Sequence, residues 1–134
     1  MAHDNTTQLV LQTIDAYERS AKECVARWNR RRHRRPPLLV EWLQYLPAGA
    51  RLLDLGCGGG KDARDLDRRG YRVVGVDRTS ALLSAGRCRY PSLPLVRADL
   101  RDLPFQAMSF DGLWAAASLM HLPKPDARRI LADL

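Results

Sequence analysis

Two carboxylates and a crowd of glycines mark where this chain could do chemistry. LLDLGCGGGKDARDLDRRG, residues 52–70, places Asp54 at the end of a short apolar run and Gly56, Gly58, Gly59 and Gly60 just after it. YRVVGVD, residues 71–77, follows at once and ends in Asp77. Glycines let a ligand lie against bare backbone. An acid at the tip of the next strand suits the diol of a sugar. The pattern describes a pocket for a small molecule that carries a nucleoside.

The loop chemistry separates the nucleoside cofactors. A phosphate-binding GxxxxGK[ST] loop is not present, because Asp62 follows Gly60 and Lys61. A dinucleotide fingerprint needs G-x-G-x-x-G, and the glycine after Gly58 comes too early. Asp54 precedes the loop by two residues, where it would repel a pyrophosphate seated on the helix N-terminus. It would welcome an ammonium group. The sign of this charge favours S-adenosylmethionine over NAD.

LLDLGCGGG resembles the first signature of the class I S-adenosylmethionine-dependent methyltransferases. VVGVDRT resembles their second, and ADLRDLPFQAMSFDGLWAAASLMHL the third- and fourth-strand regions of their small-molecule branch. The resemblance implies that Asp54 and the backbone of Gly56, Cys57 and Gly58 hold the methionine end. It implies that Asp77, with Arg78 beside it, takes the ribose hydroxyls. Asp99 would face the adenine amino group and Leu100 the ring. Ala117 to His121 would line the methionine side and the substrate mouth. An N-terminal tyrosine closes over the cofactor in resembling enzymes, which points to Tyr17, although Tyr17 also fits a packed helical stripe. His121 is the candidate general base, with a structural or substrate-lining role as the alternative. Cys57 has no neighbour that suggests nucleophilic use. S-adenosylhomocysteine is the implied product.

These residues need a scaffold. Val10, Ile14, Tyr17, Ala21, Val25 and Trp28 form an apolar stripe on a helix over residues 6–30. Asn5, Thr6 or Thr7 is placed to cap it. Pro36 and Pro37 stop further helix. A short helix over 38–46 turns Leu39, Trp42, Leu43 and Leu46 inward. Strands follow over 51–55, 72–76, 93–99 and 109–116, with helices over 61–69 and 79–88 and another opening after Pro125. Thr79 or Ser80 is the expected cap of the helix over 79–88. Apolar strands alternating with helices predict an α/β fold, a Rossmann-like parallel sheet of about four strands covered on both faces. Residues 1–37 read as an N-terminal helical cap and basic arm, and 38–134 as the cofactor-binding domain. The resembling fold has seven strands, so the sheet is expected to be incomplete, truncated after the fourth.

The 134 residues make one domain at most. The formal charge is +7, and residues 1–35 hold eight basic against four acidic side chains. The run Arg27, Arg30, Arg31, Arg32, Arg34 and Arg35 could contact RNA phosphates, or could be a solvated helix end. Cys24, Cys57 and Cys88 have no zinc spacing and fit a reducing compartment. No signal peptide or membrane span is expected, which predicts a cytoplasmic protein. The expected acceptor is a small molecule. The alternatives are an RNA methyltransferase using the basic arm, and a non-catalytic cofactor-binding module or fragment needing a partner subunit. An apolar fourth strand at the sheet edge would invite a second copy to cover it.

Overall fold

A computed structural model describes residues 2–30 and 37–133. Helix α1 spans Ala2–Arg30 and α2 Pro37–Leu43. Strand β1 (Arg51–Leu55), α3 (Lys61–Asp67), β2 (Arg72–Asp77), α4 (Ser80–Arg89), β3 (Leu95–Arg97) and β4 (Gly112–Trp114) follow. A 3-10 turn at Leu119–His121 and α5 (Lys124–Asp133) end the chain's described part.

The four strands are parallel, in the order β3-β2-β1-β4. Leu52, Leu53 and Leu55 of β1 have no exposed surface, because helices and loops cover both faces. On one face Leu52 and Val73 pack with Leu39 and Leu43 of α2, Ala63 and Leu66 of α3, and Leu83 of α4. On the other, Leu53, Leu55 and Val76 meet Leu100, Ile130 of α5 and the edge-to-face pair Phe105–Phe110. Alternation along β1 thus feeds two cores from one strand.

The strand order reverses between β1 and β4. In open parallel sheets of this kind a crevice opens beyond the carboxyl ends of the strands at such a reversal. Asp54 and Asp77 stand at those ends.

Helix α1 crosses above the crevice. Ala21, Cys24 and Val25 pack with Leu82 of α4, and Val10 is also buried. The expected stripe is therefore the inward face. The helix kinks at Ser20 (φ −111°, ψ 15°), whose hydroxyl donates to the Ala16 carbonyl at 2.7 Å. A side chain that bonds back to the preceding turn bends a helix.

Three expectations change. Helix α1 starts at Ala2, so Asn5, Thr6 and Thr7 fall inside its first turns instead of capping it. Strands β3 and β4 are three residues each, shorter than 93–99 and 109–116, because each pairs with only three residues of its neighbour. Thr79 occupies the N-cap position of α4 with no side-chain cap bond. The capping group is Glu18 of α1, whose carboxylate accepts from the N–H of Ser80 at 2.6 Å and of Ala81 at 2.9 Å.

Candidate functional site

A cavity of about 580 Å³ fills the crevice between the strand ends and α1. Tyr17, Asp54, Gly56, Cys57, Gly58, Asp77, Arg78, Asp99, Leu100, Ala117 and His121 all line it. The residues expected to hold the cofactor therefore share one space, and of Ala117 to His121 only Leu119 is not in its lining. Arg27 and Arg30 end α1 as exposed residues, and Arg31, Arg32, Arg34 and Arg35 lie outside the described residues.

The glycine loop is tied to β2 from both sides. Gly56 and Cys57 donate their N–H groups to the Val76 carbonyl at 2.8 and 2.9 Å. Asp77 answers through its side chain, accepting from Gly58 N–H and from Thr79 N–H, each at 2.8 Å. Gly56 has φ +71°, and a Cβ there would overlap Cβ of Ser118. Only glycine suits that position. Much of the remaining glycine space is used by the protein itself. A Cβ on Gly58 would lie 3.2 Å from Trp28, and one on Gly59 2.8 Å from Val25. The loop is bare so that α1 can lie on it as well as a ligand.

Asp54 is buried, and its Oδ2 has no hydrogen-bond partner. Burial, and next the negative charge of Asp62, push its carboxyl well above the usual carboxylate range. A buried acceptor without a partner is costly, and Asp54 is one of the residues that line the cavity. Burial, with Asp54 and Asp77 adding, also pushes the Cys57 thiol far up, so it stays protonated. Ser118 Oγ is a second buried atom without a partner at this wall. Ala117 beside it has φ +58°, a left-handed conformation that costs a non-glycine residue about 1 kcal/mol.

Asp99 is heavily engaged. Its Oδ1 accepts from the Arg101 N–H and Nε, both at 3.0 Å, and its Oδ2 from Arg101 Nη2 at 2.7 Å. Arg78 Nη1 stands 3.0 Å from Oδ2, close enough for an ion pair but without hydrogen-bond geometry. The hydrogen bond from the Arg101 side chain is the main cause that holds this carboxyl below its ordinary value.

Tyr17 bridges the two walls. Its ring meets His121 edge-on at 6.1 Å between centroids and Trp28 at 6.1 Å, tilted. The N-terminal helix and the segment after β4 therefore touch across the cavity mouth.

The matches among known proteins agree with this architecture. A family model described as a methyltransferase domain matches residues 52–134. The chain belongs to the class I S-adenosylmethionine-dependent methyltransferases. It is 30% identical over 129 residues to the ubiquinone biosynthesis O-methyltransferase of Acinetobacter baumannii (strain AYE), covering 86% of this chain and 53% of that one. Among solved structures it resembles a TehB-like SAM-dependent methyltransferase from Corynebacterium glutamicum, with TM-score 0.66 and 25% identity over 84% of this chain and 62% of the other. It also resembles a SAM-bound amino pentose methyltransferase from Micromonospora echinaspora, with TM-score 0.63 and 26% identity over 72% of this chain and 41% of the other. The chain thus spans about half the length of the curated relative it matches.

The cavity fits the family's cofactor. Asp62 and Asp77 bring acidic side chains to the cavity, and Asp54 adds a carboxyl that a ligand ammonium would favour in its ionised form. The orphaned oxygen of Asp54 has the type and burial that such a cation completes. No helix among the described residues is long and apolar enough to cross a membrane.

Several lining residues escaped the sequence reading, among them Lys61, Asp62 and Thr79. Lys61 and Asp62 follow the glycine loop directly, so their position was the available signal. Asp62 accepts from Trp114 Nε1 at 3.0 Å, a bond across 52 residues that no local pattern announces.

Proposed function

We propose that the chain binds S-adenosylmethionine in the cavity beneath α1 and methylates a small-molecule acceptor that enters between α1 and the segment after β4. The observation that carries this reading is the buried Asp54, with an unpartnered oxygen, in the same cavity as Asp77. Asp54 and the loop of Gly56, Cys57 and Gly58 would hold the methionine end. Asp77 keeps acceptor capacity for ribose hydroxyls, since a carboxylate has about four lone-pair positions and two are used by backbone N–H groups. Leu100 would pack on the base. Asp99 would take the adenine amino group by releasing Arg78, the contact without hydrogen-bond geometry.

When bound, the cofactor supplies a methyl group activated by the sulfonium charge and leaves as S-adenosylhomocysteine. The chain's own work is alignment and exclusion of water. Residues 1–37 serve as the cap, and 38–134 as the binding domain, in keeping with Val25 and Trp28 lying on the glycine loop. Tyr17 would close over the ligand. His121, held edge-on to Tyr17 at the mouth, would take the proton of a hydroxyl acceptor. The likeness to an O-methyltransferase supports an oxygen nucleophile.

Calorimetric titration with S-adenosylhomocysteine tests the reading. Saturable one-to-one binding is expected. A folded sample that takes up no ligand would overturn it.

A further inference from the structure

Helices α1 and α4 lie side by side with their ends in step. Glu18 of α1 caps the first turn of α4, and Asn29 Oδ1 accepts from the Tyr90 hydroxyl, just past the last turn of α4, at 3.2 Å. The two C-terminal ends therefore meet at one corner of the molecule. Each end is basic: Arg27 and Arg30 close α1, and Arg87 and Arg89 close α4. All four are exposed.

A cation suits a helix C-terminus, which accounts for each pair taken alone. It does not account for their meeting, because like charges brought together repel. Among the described residues no carboxylate pairs with any of these four arginines. Their side-chain bonds run to neutral groups: Arg27 to Cys24 Sγ at 3.9 Å, Arg87 to the Leu95 carbonyl at 2.8 Å, and Arg89 to the Tyr90 hydroxyl at 3.2 Å. Arg64, Arg78 and Arg101, by contrast, each meet an aspartate. The corner also lacks the apolar anchors of a helix that rests on a bilayer, since the large apolar side chains exposed on α1 are Leu9 and Leu11, toward its other end, and α4 exposes none. Guanidinium forks match phosphate oxygens in pairs.

We propose that this corner docks the phosphate backbone of a nucleic-acid strand, without regard to its sequence, through arginines of both helices at once. The proposal is independent of the cofactor reading, because the strand is a docking partner and not the methyl acceptor.

Fluorescence anisotropy of a labelled oligouridine of about twenty nucleotides, read over a range of salt, tests the assignment on the full chain. Each neutralised phosphate contributes roughly 0.7 to the slope of log affinity against log salt, so four arginines predict a slope of about 3 or steeper in magnitude. Arg30→Gln combined with Arg89→Gln removes one charge from each helix. That pair should weaken binding about tenfold and cut the slope by about 1.4. Arg30→Lys combined with Arg89→Lys should keep most of the affinity. Arg68→Gln combined with Arg69→Gln removes the same charge from exposed positions after α3 and should change affinity less than about twofold. Circular dichroism confirms that each variant is folded. Equal losses from the two Gln pairs overturn the proposal, and so does a loss confined to Arg30→Gln with Arg89→Gln alone binding like the parent. Absence of oligouridine binding by the parent also overturns it. If vesicles containing phosphatidylserine then capture the parent, the corner belongs to an anionic bilayer instead.

Discussion

Glu18 caps the helix that begins at Ser80, 62 positions further along the chain. Its two oxygens take the two free N–H groups of Ser80 and Ala81, and its charge faces the positive end of α4. Through that contact α1 is fastened to the turn that carries Asp77, because Thr79 N–H binds Asp77 Oδ1. Glu18→Ala should therefore destabilise the fold by about 1 kcal/mol, the usual magnitude for loss of a helix cap. Urea denaturation measures the loss. Cofactor affinity should fall with it, whereas Glu23→Ala on the exposed face of α1 should alter neither.

Asp77→Ala should weaken S-adenosylhomocysteine binding more than tenfold. Each hydrogen bond to a charged group contributes about 1.5–3 kcal/mol before compensation. Asp77 also anchors Gly58, so the loop loses a tether together with the ligand contact. Calorimetry on mutant and parent decides the matter, and equal affinities would remove Asp77 from the site.

The raised value of Asp54 gives the site a pH dependence. Above the ordinary value of 3.8, unfolded chains ionise while folded chains keep the proton. Asp54 thus contributes stability at acid pH that is lost as pH rises through the raised value. A ligand ammonium reverses the preference and favours the ionised carboxylate, so binding should expel a proton. Affinity is expected to rise with pH through the same window. Calorimetry in two buffers of unlike ionisation enthalpy reads the released proton. Asp54→Asn should abolish that release and raise the stability of the unliganded chain near neutral pH.

Gly56→Ala tests the loop. The new Cβ would overlap Ser118 Cβ at a backbone angle of +71°, and a loss of about 2 kcal/mol or more is expected. Adding Ser118→Gly removes the overlap and should leave only the backbone cost, about 1 kcal/mol. Denaturation midpoints of the single and double variants separate the two causes.

The strand ends were legible because their chemistry is local. β1 occupies the expected residues 51–55, and Asp54 and Asp77 stand where an acid after an apolar strand belongs. What escaped depends on distant residues. Glu18 has no pattern in its own neighbourhood that announces a cap on α4. Strands β3 and β4 are short because only three residues of each pair with the neighbouring strand, a property of the sheet and not of LPLVRAD or SFDGLWAA. The glycines show a subtler case. Their number pointed to a ligand, yet Gly58 and Gly59 are also needed by Trp28 and Val25, since a bare loop serves any close neighbour. Asp99 lies on the cavity wall, but the grip of Arg101, two residues away, was not foreseen.

Trp28 also makes the chain its own optical sensor. Of three tryptophans, Trp28 lines the cavity, while Trp42 and Trp114 sit against each other with ring centroids 5.5 Å apart, outside its lining. A purine or an aromatic acceptor arriving beneath α1 changes the surroundings of Trp28 directly, and reaches Trp114 only through its hydrogen bond to Asp62. Emission from the unlabelled protein then tracks filling of the cavity in real time, and Trp28→Phe separates the direct signal from what reaches Trp114 through Asp62.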